Sequence, residues 1–253
     1  MSEPVLSLAW RSQTTLVDDI VGAIRDRIVR GELEPGLKIR QQEFAELLGV
    51  SRTPLREAFQ RLEADGWVQL RARRGAEVRP LTVAEAEEIF TMRVVLETAA
   101  ARLAALAHPD ADARRARALI DPEPPSLDRT DDGIDDANQA FHDVVYGLDG
   151  VTMPQELASE LRGYWARALR YRLVYWSRPT SVARSRAAHK AIYKAWSRRD
   201  PGATERAVAA HILTALREIT ARIDPAATPS GAVRALADLY GVDLRAPLAT
   251  EVR

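Results

Sequence analysis

The chain has 253 residues, 46% of them apolar and 28% charged, with 36 basic side chains against 36 acidic ones and no cysteine. That length suits two domains with separate cores, and the composition is globular, without an apolar run long enough to span a membrane. The missing cysteines exclude disulfides and thiolate metal sites, and Met1 to Arg11 has neither the basic start nor the apolar stretch of a secretory leader, so the cytoplasm is the expected compartment and no membrane partner is expected.

Residues 1–13 are expected to form a flexible N-terminus ahead of a first domain over 14–80. Leu16, Ile20, Ile24 and Ile28 recur every fourth position and the run stops at Gly31, which predicts a first helix closed by the turn at Pro35-Gly36. Gln41 to Leu48 carries Phe44, Leu47 and Leu48 and reads as a short second helix ending at Gly49. A third helix follows on Leu55, Ala58, Phe59 and Leu62, with Ser51 and Thr53 as cap candidates, Pro54 in the first turn and Gly66 as the stop. Trp67 to Leu70 and Ala76 to Val78 are β-prone runs around an Arg-rich turn containing Gly75, a predicted hairpin. Pro80 breaks the chain. Thr82-Val83-Ala84-Glu85 then has the form of a capping box that opens a long Ala-rich helix to about Ala107.

Beyond this point the pattern is helical throughout, with segments near 111–120, 134–148, 155–176, 181–198 and 202–223. They predict an all-helical second domain over 82–223, interrupted by a Pro-rich acidic connection from Asp121 to Asp132 that is expected to be mobile. Pro179 and Pro201 punctuate the later segments. A tail over 224–253 has room for one short helix from Gly231 to Tyr240. The fold class expected is therefore mainly α, three helices plus a β-hairpin followed by a helical bundle.

The overall charge is balanced, but its distribution is not. Leu37 to Arg79 holds nine basic residues against six acidic ones, and Arg71 to Arg79 holds four Arg against one Glu. Drawn at about 100° per residue, the third helix turns its apolar residues to one arc and Arg52, Arg56 and Gln60 to the neighbouring one. An isolated helix of this kind is usually just a solvated amphipathic helix. Here it follows a short helix and a tight turn and precedes an Arg-tipped hairpin, the order by which helix-turn-helix proteins set side chains against base edges in the major groove. Arg52 and Arg56 suit guanine O6 and N7, and Ser51 or Thr53 suits phosphate or a thymine methyl.

Glu34-Pro35-Gly36, then Gly49-Val50-Ser51-Arg52-Thr53-Pro54-Leu55-Arg56-Glu57-Ala58, then Arg61-Leu62-Glu63-Ala64-Asp65-Gly66-Trp67-Val68 resembles the winged helix-turn-helix domain of the GntR family of bacterial regulators. The resemblance implies a dimer bound to double-stranded operator DNA of short palindromic form, as a repressor, through Arg40, Gln42, Ser51, Arg52, Thr53, Arg56, Arg73, Arg74 and Gly75. Position 42 is often a base-reading Arg in that family, and this chain has Gln42.

The chain has four His. His142 follows Asn138 by one helical turn, His189 shares a face with Ile192 and Trp196, His211 lies among small residues, and His108, before Pro109, reads as a loop residue. A single His on an apolar face is usually a hydrogen-bonded core residue. Three on separate helices, with Asn138, can instead converge on a divalent ion such as Zn or Ni. Arg93-x-x-Leu96-Glu97, Asn138-x-x-Phe141-His142, His189-x-x-Ile192 and Ala210-His211 resemble the FCD effector domain of FadR-like GntR regulators, in which an Asp and three His hold the metal. Asn138 stands where that Asp usually does. The resemblance implies metal ligation by Asn138, His142, His189 and His211 and a small-molecule carboxylate effector held in part by Arg93. The other reading of Arg93 is an ion pair with Glu97. A metal-dependent enzyme using the three His is the alternative function, but no accompanying catalytic motif is present.

Overall fold

The computed structural model describes residues 13–29, 32–71, 75–120, 132–148, 153–176 and 179–245. The chain divides into two units, Met1–Leu81 and Thr82–Arg253. Apart from Gln13, the expected flexible N-terminus lies outside the described residues. So do Arg73, Arg74 and the Pro-rich connection up to 131.

In the first unit, α1 (Gln13–Val29), α2 (Gln41–Leu48) and α3 (Arg52–Ala64) are joined by β1 (Lys38–Ile39), β2 (Val68–Arg71) and β3 (Gly75–Val78). Val17, Ile20 and Ile24 of α1 are buried with Leu55, Ala58, Phe59 and Leu62 of α3, and an ion pair between Arg61 and Asp18 joins these two helices. Phe59 is fully buried and meets Phe44 of α2 at a ring separation of 6.2 Å. Truncating such a ring costs about 3–5 kcal/mol. Leu47, expected on the buried side of α2, is instead 55% exposed, and Ala45 takes its place inside. The turn between α2 and α3 is a Schellman motif: Gly49 has φ 64°, Val50 N–H donates to Ala45 O and Gly49 N–H to Glu46 O.

The hairpin gains a third strand. β1 pairs antiparallel with β3, Lys38 opposite Glu77 and Ile39 opposite Ala76, so the sheet order is β1-β3-β2. Two residues are too few for any period to show in the sequence, and β1 exists because β3 offers it an edge. Gly75 begins β3 at φ +89°, and a Cβ there would stand 2.1 Å from Ile39 O of β1. The glycine is thus required by strand packing.

The second unit contains α4 (Val83–Ala107), α5 (Asp110–Ile120), α6 (Asp132–Val145), α7 (Gln155–Trp176), α8 (Pro179–Trp196), α9 (Pro201–Ile223) and α10 (Gly231–Tyr240). α4 is the central element and packs most extensively on α9, with α7 alongside and α8 against α9. Thr82 caps α4 by accepting from Glu85 N–H at 3.2 Å. The reciprocal half of the box is replaced, because the phenol of Tyr171 on α7 accepts the Thr82 N–H. Pro179 and Pro201, read from sequence as breaks, open α8 and α9; at Pro201 the missing N–H is one the helix would leave unpaired anyway, and Asp200 caps it. Among the described residues no helix is long and apolar enough to cross a membrane.

Candidate functional site

The first unit presents a basic concavity of about 770 Å³. Among the described residues its lining includes Lys38, Arg40, Arg52, Arg56 and Arg71 with Gln41, Gln42 and Gln60, and Arg71 is paired with Glu77 at 3.2 Å. Arg52, Thr53, Arg56 and Gln60 are exposed along one side of α3, whose other side is the core. Ser51 sits at the N-cap position of α3 but its hydroxyl makes no capping bond. Gln42 accepts a hydrogen bond from Arg52 across the α2–α3 turn, and Arg40, the residue before α2, pairs with Glu43 at 2.9 Å. Arg56 makes no ion pair among the described residues. Guanidiniums and amides projected from the start of an exposed helix supply donors for phosphates and for base edges.

In the second unit α6, α8 and α9 bring His142, His189 and His211 together. Their metal-ligating nitrogens all lie within 4.8 Å of one another, and His142 Nε2 and His189 Nε2 are 3.1 Å apart. Burial pushes the basicity of all three rings down, assisted at His142 by the other two imidazoles, Arg93 and Arg172, at His189 by His211 and Arg186, and at His211 by Arg93: His142 and His189 fall well below the usual imidazole value, and His211 falls to about 3. The rings are therefore neutral at pH 7, with lone pairs to offer. His142 Nδ1 and Asn138 Oδ1 are buried without a hydrogen-bond partner. Metal–nitrogen bonds of about 2.0–2.1 Å set the nitrogens of a tetrahedral ion about 3.4 Å apart, so His142 and His189 already stand near that spacing and the widest pair would have to close by up to about 1.4 Å. His108 lies, as expected, in the connection between α4 and α5, and it is buried there: it stacks on Trp196 at 3.8 Å and its Nε2 meets Trp196 O at 3.0 Å, away from the other three.

Beside the cluster lies a cavity of about 20 Å³ lined by Phe90, Arg93, Asn138, Arg172, Tyr175, Trp176 and His211 among others. Arg93 reaches it, but its guanidinium is bound to the Glu97 carboxylate at 2.6 and 3.4 Å, both side chains being buried.

Two family profiles cover most of the chain, "Bacterial regulatory proteins, gntR family" over residues 16–78 and "FCD domain" over residues 88–214. The chain belongs to the GntR family. Relatives of this GntR chain include an uncharacterized HTH-type transcriptional regulator of Agrobacterium vitis, 38% identical over 111 residues, covering 43% of this chain and 65%, just under two thirds, of that relative. The HTH-type transcriptional repressor RspR of Escherichia coli K12 is 25% identical over 75% of this chain and 82% of its own. The solved structure of E. coli McbR/YncC shares the fold, with a TM-score of 0.62 at 18% identity over 83% of this chain and 99% of that one. The GntR and FCD profiles and the named relatives are those of transcriptional regulators rather than enzymes.

Sequence reasoning on this GntR chain missed Glu97's second partner. Tyr146 Oη donates to Glu97 Oε2 at 2.6 Å, so the Arg93 partner is itself anchored by the turn that follows α6. It also missed Arg172, buried on α7, which donates to Trp165 O at 2.7 Å and lies 4.4 Å over the Trp165 ring. Trp165 and Arg172 are seven residues apart on one helix, a spacing that puts them on one face; only the fold shows that this face borders the cavity.

Proposed function

We propose that this GntR regulator is a cytoplasmic homodimeric repressor that binds a short palindromic operator through residues 14–80 and is released by a small organic carboxylate bound within residues 82–223, the segment from 224 onward being a tail. For the head, support comes from the basic concavity carrying Arg52 and Arg56. Arg40, Gln42 and Gly75 also line it, Ser51 and Thr53 flank Arg52 in the chain, and Arg73 and Arg74 extend the same basic run in the sequence.

The observation that carries the sensing half is the meeting of three neutral imidazoles next to an orphaned amide oxygen. His142, His189, His211 and Asn138 would hold a divalent ion, Zn or Ni, whose charge would attract a carboxylate. His142 and His189 place their ring nitrogens, Asn138 contributes a neutral oxygen, and Arg93 faces the same cavity with its charge balanced by Glu97.

The dimer is supported by α4. Met92, Val95, Leu103 and Leu106 are all exposed, and they stand symmetrically about the exposed Ala99, at −7, −4, +4 and +7. An antiparallel pair of α4 helices crossing at Ala99 therefore sets Val95 against Leu103 and Met92 against Leu106, a self-complementary stripe of the kind a two-fold interface needs. The test is a gel shift on the upstream region of its own gene: a discrete complex with one dimer is expected, and no complex on any neighbouring intergenic DNA defeats the proposal.

A further inference from the structure

The cavity beside the three His has room for about one water molecule, whereas even a small organic acid is several times larger. A ligand can enter only if the walls separate. Those walls are Phe90 and Arg93 on α4, Arg172, Tyr175 and Trp176 on α7, and, on α9, residues including Ala215.

α4 and α7 are also tied together away from the cavity, at the first turn of α4. Tyr171 is buried on α7, and its phenol donates to Glu85 Oε2 at 2.8 Å. The phenol oxygen of Tyr171 stands 3.4 Å from both Thr82 N and Thr82 O. Arg170, also buried, forms an ion pair with the same Glu85 carboxylate oxygen and lies 5.0 Å over the Tyr171 ring. The first turn of α4 is thus gripped by two consecutive residues of α7, directly before Arg172 and one turn before Tyr175. On α4 the grip at Glu85 lies eight residues, about 12 Å, from Arg93.

Thr82 is the first residue of the second unit and follows Leu81, the last of the first. We propose that Glu85, Arg170 and Tyr171 form a latch that transmits opening of the effector cavity to the chain segment entering the DNA-binding unit, acting as positioning residues for regulation. The inference rests on the effector reading above. Packed helices do not deform smoothly under a wedge but shift as bodies between alternative packings. With the latch closed, displacement of α7 by a ligand between Arg172 and Phe90 carries the α4 first turn along and moves Thr82. With it open, α7 moves and Thr82 does not.

The latch is testable without knowing the ligand, by using a larger side chain as the wedge. Ala215→Leu adds bulk to the cavity wall and pushes from inside. The affinity of the full-length protein for a labelled fragment of its own upstream region is measured for wild type, Ala215→Leu, Tyr171→Phe and the double variant, a cycle that isolates the coupling between the two positions. Ala215→Leu is expected to change the DNA Kd at least fivefold. Tyr171→Phe alone should change it less than twofold, and in the Tyr171→Phe background the wedge effect should shrink to less than twofold. Equal wedge effects in both backgrounds, or no wedge effect with the latch intact, overturn the latch while leaving the regulator reading in place. Absence of DNA binding by the wild type overturns both. Should Ala215→Leu fail to fold, Ile219→Phe serves as the wedge from the same wall. Glu85→Gln is the second latch variant, and it should uncouple as Tyr171→Phe does. Hydrogen exchange at residues 82–86 gives an independent readout: the wedge should accelerate it in the latched protein and not in the unlatched one.

Discussion

Lowering the pH on the metal-free protein tests whether His142, His189 and His211 are held as neutral bases. In the unfolded chain an imidazole titrates near pH 6.5. In the folded protein His211 resists protonation down to about 3, and His142 and His189 are shifted in the same direction. As pH falls the unfolded state takes up protons first, so the stability from these rings is fully present above about pH 6.5 and is lost as the pH falls toward the folded values. Between pH 7.5 and 5.0, a ring with the His211 shift costs about 2 kcal/mol, and three such rings set an upper bound of about 6 kcal/mol. That bound is comparable to the whole stability of many domains. The assay is urea denaturation of EDTA-treated protein at the two pH values. It is followed by tryptophan fluorescence, since the Trp165 ring lies 5.3 Å from that of His142. His211→Leu, which removes one titrating ring and keeps the site apolar, should lessen the acid loss by about 2 kcal/mol. A wild-type loss no larger than that of His211→Leu would refute the reasoning.

Other outcomes follow from the same geometry. Arg52→Ala should weaken operator binding by about 1–3 kcal/mol and relax base preference at one position of each half-site; fluorescence anisotropy against the operator and single-base variants measures both, and unchanged preference would count against the docking proposed. His189→Ala should lower the zinc or nickel retained by protein prepared without chelator, read by elemental analysis, while circular dichroism stays that of the wild type; equal metal content in both would remove His189 from the ligand set. Leu103→Glu should convert a dimer to a monomer in light scattering and abolish the discrete operator complex, because it buries a carboxylate against Val95 of the other copy; a dimer that persists would place the interface elsewhere.

Local chemistry made the winged head legible in the sequence. Gly49 can adopt the positive φ that the α2–α3 turn demands, and Arg52, Arg56 and Gln60 at a spacing of four have to share one side of a helix whatever surrounds it. The Thr82 cap and the helix stops at Gly49 and Gly66 are likewise decided within one turn of chain. β1 was not legible, because a two-residue strand exists only through its partner, and neither was the need for Gly75, which arises from Ile39 O thirty-six positions earlier in the chain.

The three His were legible as unusual residues on apolar faces, and their meeting was expected from the FCD resemblance, while helical spacing left it only one of two readings. Periodicity reports which side of a helix is buried, not which other helix buries it. Only the packing of α6, α8 and α9 decided that His142, His189 and His211 share one pocket while His108 stacks on Trp196. The same holds for Arg93. The sequence set Glu97 one turn away as a possible partner, and burial of both groups, with Tyr146 holding the carboxylate, decided that the pair forms. Residue identities and helical faces are local properties of the chain; which charges are desolvated together, and hence which pairs must form, is determined by packing between distant segments.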